Sequence, residues 1–165
     1  MGPSREGFLV INLAVIWILQ DLLQLLTMGI IMIPELFLLF VAYELVSGSL
    51  RPGRICTLIW IAFAGGIVWD LRWVTFPGMS GLVNSLSVLA IYTVWNRTPI
   101  TGRGVLMFGL LAGAAHFLSG VVHYLAWATP GETVLRLFLI QQLLGVPALA
   151  MLCMILAFRK SGAHV

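Results

Sequence analysis

The feature that most constrains this chain is a recurrence of long apolar runs divided by short breaks, with few charges inside the runs. Six runs can be drawn, over residues 8–28, 30–46, 55–71, 80–95, 105–127 and 134–158. Crossing a bilayer as a helix takes about 20 mostly apolar residues, so a chain of this length holds at most about six crossings and no second, water-soluble domain. With 61% of residues hydrophobic and 9% charged, and a mean hydropathy of +1.06, there is too little polar surface to wrap the runs into a soluble core. Lipid is the natural solvent, and helices are the open-chain structures that satisfy every backbone group within it. The expected fold is all-α, one transmembrane domain over residues 1–165, with about six transmembrane helices. The runs 30–46 and 80–95 are short for full crossings, and Pro34 is placed in the first turn of the second helix. The first run follows MGPSREG and lacks a small-residue cleavage site after it, so it reads as a retained span and not a signal peptide.

Charge sets the orientation. In a six-span arrangement with the N-terminus inside, Arg5, Arg51, Arg54, Arg97, Arg103, Arg159 and Lys160 fall on the inner side and Arg72 and Arg136 on the outer. This imbalance is the positive-inside pattern and predicts both termini in the cytoplasm. The same basic residues are scattered singly between apolar runs, which excludes a nucleic-acid patch despite a net charge of +3. Trp69, Trp73 and Trp127 are expected at the outer interface and Trp95 at the inner one, with Trp17 and Trp60 as deeper packing residues. Cys56 and Cys153 lack the spacing of a metal knuckle and read as reduced, buried small hydrophobes. The breaks NRTPITGRG, at 96–104, and ATPGE, at 128–132, are the clearest loops.

Polar residues inside the runs are the candidates for function, because each needs a partner or a watery cavity. Asp21 lies between Gln20 and Gln24 in the first run, with Asn12 deeper. Asp70, Arg72, Asn84, His123, Gln141 and Gln142 reach a similar outer depth in the N-inside arrangement. Such a cluster is either a pocket or partner site open to the outside, or a set of interhelical hydrogen bonds holding the bundle together. Asp70 and Arg72, or Asp21 and Arg72, are positioned to form an ion pair. His116 and His123 are seven residues apart on one helix, whereas zinc-binding helices use a spacing of three or four with a third ligand, so metal binding is not expected. Gly109 and Gly113, continued by Gly120, and the pair Ala62 and Gly66 are small-residue faces that allow close helix packing, internal or with a foreign helix. The sequence holds no GxSxG, phosphate-cradling glycine loop, HExxH or Cys/His dyad, and no cofactor motif, so the chain reads as non-enzymatic.

The stretch 62–96, AFAGGIVWDLRWVTFPGMSGLVNSLSVLAIYTVWN, carries a family likeness. Its order AGGIVWDL, a short outer loop with Pro77 and Gly78, and the small-residue-rich SGLVNSLSVLAIY resembles the MreD family of bacterial rod-shape membrane proteins. Upstream, IPELFLLFVAYELVSG is similar to that family's proline-led second segment. The resemblance covers most of 33–96 and fades after it. It implies a scaffold in the bacterial inner membrane that binds MreC and helps couple MreB to peptidoglycan synthesis by RodA and a class B penicillin-binding protein. It also implies structural or partner-contact roles for Gly65, Gly66 and Asp70 in the third span, for Pro77 and Gly78 in the outer loop, and for Gly109 and Gly113 on a docking face. The family is related to the substrate-binding S components of energy-coupling-factor transporters, six-helix bundles with an outer ligand pocket. Those carry an alanine-xxx-alanine pair in the first helix, whereas here Ala14 is followed four residues later by Ile18.

Overall fold

A computed structural model describes residues 4–27, 31–48, 51–73, 76–126 and 132–161. Its regular structure is helical throughout: α1 (Ser4–Leu26), α2 (Leu36–Ser47), α3 (Pro52–Trp73), α4 (Met79–Arg97), a single 3-10 turn (Ile100–Gly102), α5 (Val105–Ala126) and α6 (Glu132–Ser161). Four of them are long and apolar enough to cross a membrane, over Gly7–Leu26, Pro52–Trp73, Val105–Leu125 and Thr133–Arg159. Trp127 and the break at 128–131 lie outside the described residues, as does the start of the chain before Ser4.

The architecture is built around the shortest helix. At 12 residues α2 is about 18 Å long, less than a hydrocarbon thickness, and it packs against all five of the others. Phe37, Leu38, Leu39, Val41, Ala42, Tyr43 and Leu45 are buried around its whole circumference, as expected of a helix that is apolar on every side. Leu13, Leu58, Ala62, Val88, Ile91, Phe108, Ala112 and Leu152 close the core around it from the five flanking helices. The outward faces are also apolar, with Phe8, Ile11 and Ile18 on α1, Leu106, Leu110 and Phe117 on α5, and Leu139, Leu143 and Phe158 on α6 all exposed. An apolar surface of this extent calls for a lipid solvent.

Long-range bonds fix the helix directions. Trp17 Nε1 donates to the Gly65 carbonyl at 3.0 Å and Arg72 pairs with Asp21, so α1 and α3 run parallel. Gln141 Nε2 donates to the Ile33 carbonyl (3.3 Å) and Arg159 to the Tyr43 hydroxyl (3.4 Å), so α2 and α6 run parallel in the opposite sense. One end of the bundle therefore gathers Asp21, Glu35, Asp70 and His123, and the other the Glu44–Arg54 pair (2.7 Å) and Arg159.

Two close helix contacts use the glycines. A Cβ on Gly66 would overlap the backbone of Gly81, so α3 and α4 cross with their main chains in contact. Gly109 faces Cys153 and Gly113 faces Leu149, which places both glycines in the antiparallel α5–α6 contact. Gly65 makes room for the Phe37 ring.

Several expectations are corrected. The second helix starts at Leu36 and not within its first apolar residues, because 31–35 is non-helical; Pro34 precedes the helix instead of lying in its first turn. Trp60, expected as a packing residue, is 64% exposed and edge-packs on Phe63, while Trp95 is packed into the core. Cys56 is exposed and not buried, and Cys153 is partly buried; both are free thiols.

Candidate functional site

Residues 31–35 form a short stretch of non-helical backbone that enters the bundle before α2, with Pro34 and Glu35 buried. Its peptide groups lack helical partners, and three glutamines supply them. Gln24 Oε1 accepts from the Ile33 N–H (3.0 Å) and its Nε2 donates to the Ile31 carbonyl (3.4 Å). Gln20 Oε1 accepts from the Phe37 N–H at 2.7 Å, and Gln141 Nε2 reaches the Ile33 carbonyl from α6. Irregular backbone is tolerated at such depth when protein groups enclose and satisfy it. The glutamines thus let α2 begin one and a half turns late without leaving bare peptide groups.

Glu35, at the N-terminus of α2, is 4% exposed, and its Oε1 lies 3.3 Å from His123 Nδ1. His123 Nε2 is 2.7 Å from Ser80 Oγ, near the start of α4. The Ser80 N–H in turn donates to Asp70 Oδ2 at 2.8 Å. Asp70, fully buried, acts as an N-cap supplied from another helix: α4 begins after Gly78, whose φ of +94° a side chain would strain, and no local side chain caps it. A carboxylate at that position satisfies an orphan N–H and complements the positive end of the helix dipole. Glu35, His123, Ser80 and Asp70 therefore form one continuous chain from α2 through α5 and α4 to α3. The acid, imidazole and hydroxyl have the order of a hydrolase triad. The Ser80 amide is taken up by the Asp70 carboxylate, so Ser80 links α4 to α5 through its hydroxyl and to α3 through its main chain.

The same seam continues inward. Asn84 and Ser87 lie one and two turns beyond Ser80 on the buried face of α4, and Ser119 and His116 lie one and two turns before His123 on α5. Helical periodicity sets Asn84 level with Ser119 in the antiparallel α4–α5 pair. His116 packs against Gly145 of α6, within electrostatic reach of Glu35 and beside the Gln141 backbone. Neither of its ring nitrogens makes a well-aligned hydrogen bond, and Asn84 Oδ1, Ser87 Oγ, Ser119 Oγ and Gln141 Oε1 have no partner. The hydroxyls of Ser85 and Thr93, by contrast, bond back to their own helix at 2.9 and 2.8 Å.

Of the residues singled out in the sequence, Asn84, His123 and Gln141 fall in or beside this seam. Asp21 and Arg72 form a separate group, in which Trp73 Nε1 also donates to Asp21 at 2.9 Å and the Arg72 guanidinium stands over the Trp73 ring. Arg72 thus pairs with Asp21, and Asp70, two residues away, is held by α4 instead. Pro77 and Gly78 form the α3–α4 turn. Glu35, Ser80, Ser87 and Ser119 were missed. A proline followed by an acid at the mouth of an apolar run was the available signal for Glu35; single serines in an apolar helix give none. Among the described residues, no three His, Cys, Asp or Glu side chains converge as metal ligands.

Comparison with protein-family models, with curated proteins and with solved structures finds no match to this chain.

Proposed function

We propose that this chain is a non-enzymatic scaffold of the bacterial inner membrane, multi-pass, with six spans and both termini cytoplasmic, serving the cell-elongation machinery. In this reading it binds MreC directly and, through the complex, helps couple MreB to RodA and a class B penicillin-binding protein. The observation that carries it is the unity of the stretch that resembles the MreD family. Residues 62–96 contain the Gly66–Gly81 crossing, the Gly78 turn and the Asp70 cap, so the residues that carry the resemblance are those that hold α3 and α4 together. In the same reading α2, packed against all five other helices, and α4, 19 residues long with an apolar outward face of Leu82, Leu86 and Leu89, complete the six spans.

A second reading, a substrate-binding S component of a vitamin or small-molecule transporter, is favoured by the buried, unpartnered polar atoms of Asn84, Ser119 and Gln141 at one end of the bundle. Purification of the tagged protein from its own membranes in mild detergent separates the two. The scaffold reading expects MreC and the elongation synthases to co-purify. Recovery of a transporter's transmembrane subunit with paired ATPases, without MreC, would replace it with the second reading.

A further inference from the structure

Among the described residues α1 is held at one side of the bundle, packed on α2 and less closely on α3. Its inward face is set by the buried Leu9, Leu13, Gln20 and Gln24. Roughly opposite that face, Phe8, Asn12, Val15, Leu19, Leu22 and Leu26 follow one another at alternating intervals of four and three residues. This is the spacing that keeps one stripe of side chains against a facing helix in a left-handed supercoil. The five apolar members are all exposed, from Leu19 at 48% to Leu26 at 71%. Apolar side chains alone suit lipid tails as well as they suit a helix. Asn12 breaks that equivalence. It lies within the crossing segment Gly7–Leu26, is only half-buried, and its amide has no hydrogen-bond partner among the described residues. Lipid tails offer it none.

We infer that two copies of this chain pair through α1, along the stripe from Phe8 to Leu26, with Asn12 of each copy bonded to Asn12 of the other. Copies inserted the same way in one membrane are related by a two-fold axis along its normal, so their α1 helices run parallel and each seam residue meets its own counterpart. Asn12 is then its own complement, because a side-chain amide carries both donors and an acceptor. One such residue at a core position of a parallel pair fixes the register and favours two strands. A foreign helix would have to bring a polar group to the same depth, whereas a second copy does so by symmetry. The same spacing also runs through Ile11, Ile18 and Leu25, one residue back along the helix, but that stripe holds no polar side chain. This inference rests on the membrane reading of the chain and is independent of which other partners the protein binds.

The test places single cysteines in the full-length protein, with Cys56→Ser and Cys153→Ser as background, and oxidises them in its own membranes. Val15→Cys, on the stripe, should give a disulfide-linked pair of this chain; Ile18→Cys, on the neighbouring stripe, and Leu143→Cys, exposed on α6, should not. In liposomes, the dimer fraction of the unaltered protein should follow the protein-to-lipid ratio. Asn12→Leu and Asn12→Ala remove no hydrogen bond within the bundle and should raise the dimer dissociation constant about threefold or more. A monomer at every ratio overturns the inference. So does equal crosslinking at Val15 and Leu143, which marks random collision, or a dimer that both Asn12 variants leave unchanged. A Val15→Cys product that joins this chain to a different protein also overturns it and assigns the stripe to a foreign helix. If neither Asn12 variant folds, the comparison of Val15, Ile18 and Leu143, made with Asn12 intact, decides.

Discussion

At the scale of single residues, the chain satisfies buried backbone with side chains borrowed from other helices. Asp70 is the sharpest case, since its Oδ2 is the partner of the Ser80 N–H and no local cap exists for α4. Removing it strands that donor in a buried site, which costs about 1–3 kcal/mol. Asp70→Ala is therefore expected to lower unfolding stability in detergent by about that much, and Asp70→Asn, which keeps an acceptor but loses the charge facing the helix dipole, by about 1 kcal/mol or less. Denaturant titration followed by circular dichroism checks the order; equal losses in both variants would mean that the charge, and not the hydrogen bond, is what α4 needs. Asp70 stood out in the sequence because an acid ending an apolar run demands a partner. Its partner did not, because a main-chain N–H across a turn leaves no mark on composition.

At the scale of elements, helical class was legible throughout, since apolar runs of this length leave the backbone little choice. The boundaries of five helices follow the runs closely, and the exception is instructive. α2 loses its first residues to non-helical backbone because Gln20, Gln24 and Gln141, on two other helices, offer that backbone an alternative set of partners. Nothing within 30–46 itself announces this beyond Pro34. Helix crossing was only partly readable: small-residue spacing marks both Gly66 and Gly109, yet the two differ in tightness. A methyl at Gly66 meets the main chain of Gly81, which cannot turn aside, whereas one at Gly109 comes 3.3 Å from the Cys153 sulfur, the end of a side chain. Gly66→Ala should destabilise by about 1–3 kcal/mol through forced separation of α3 and α4, and Gly109→Ala by less than about 1 kcal/mol. Parallel measurement of Tm for both proteins tests this, and a larger loss at Gly109 would mean that the α5–α6 contact is the more rigid of the two.

At the scale of the whole molecule, the alternation of helix directions brings the start of α1 and the end of α6 to the same end of the bundle, opposite the Asp21–Arg72 pair and the buried seam. Under the proposed orientation, which rests on the charge asymmetry of the sequence, Arg97 and Arg103 beside the α4–α5 connection would lie on the inner side and the Pro77–Gly78 turn on the outer. Helix packing alone carries no such information, since a bundle inverted in the bilayer keeps every internal contact; only the basic loops distinguish the two arrangements. Single cysteines in a background of Cys56→Ser and Cys153→Ser report it directly. Phe76→Cys, at a position 59% exposed beside the α3–α4 turn, should react in spheroplasts with a maleimide that cannot cross the membrane. Ile100→Cys, at a position 84% exposed in the α4–α5 connection, should react only after the membrane is opened. The reverse pattern would turn the seam towards the cytoplasm. Labelling of both positions in intact spheroplasts would break the alternation itself, because α4 would then begin and end on one side of the membrane.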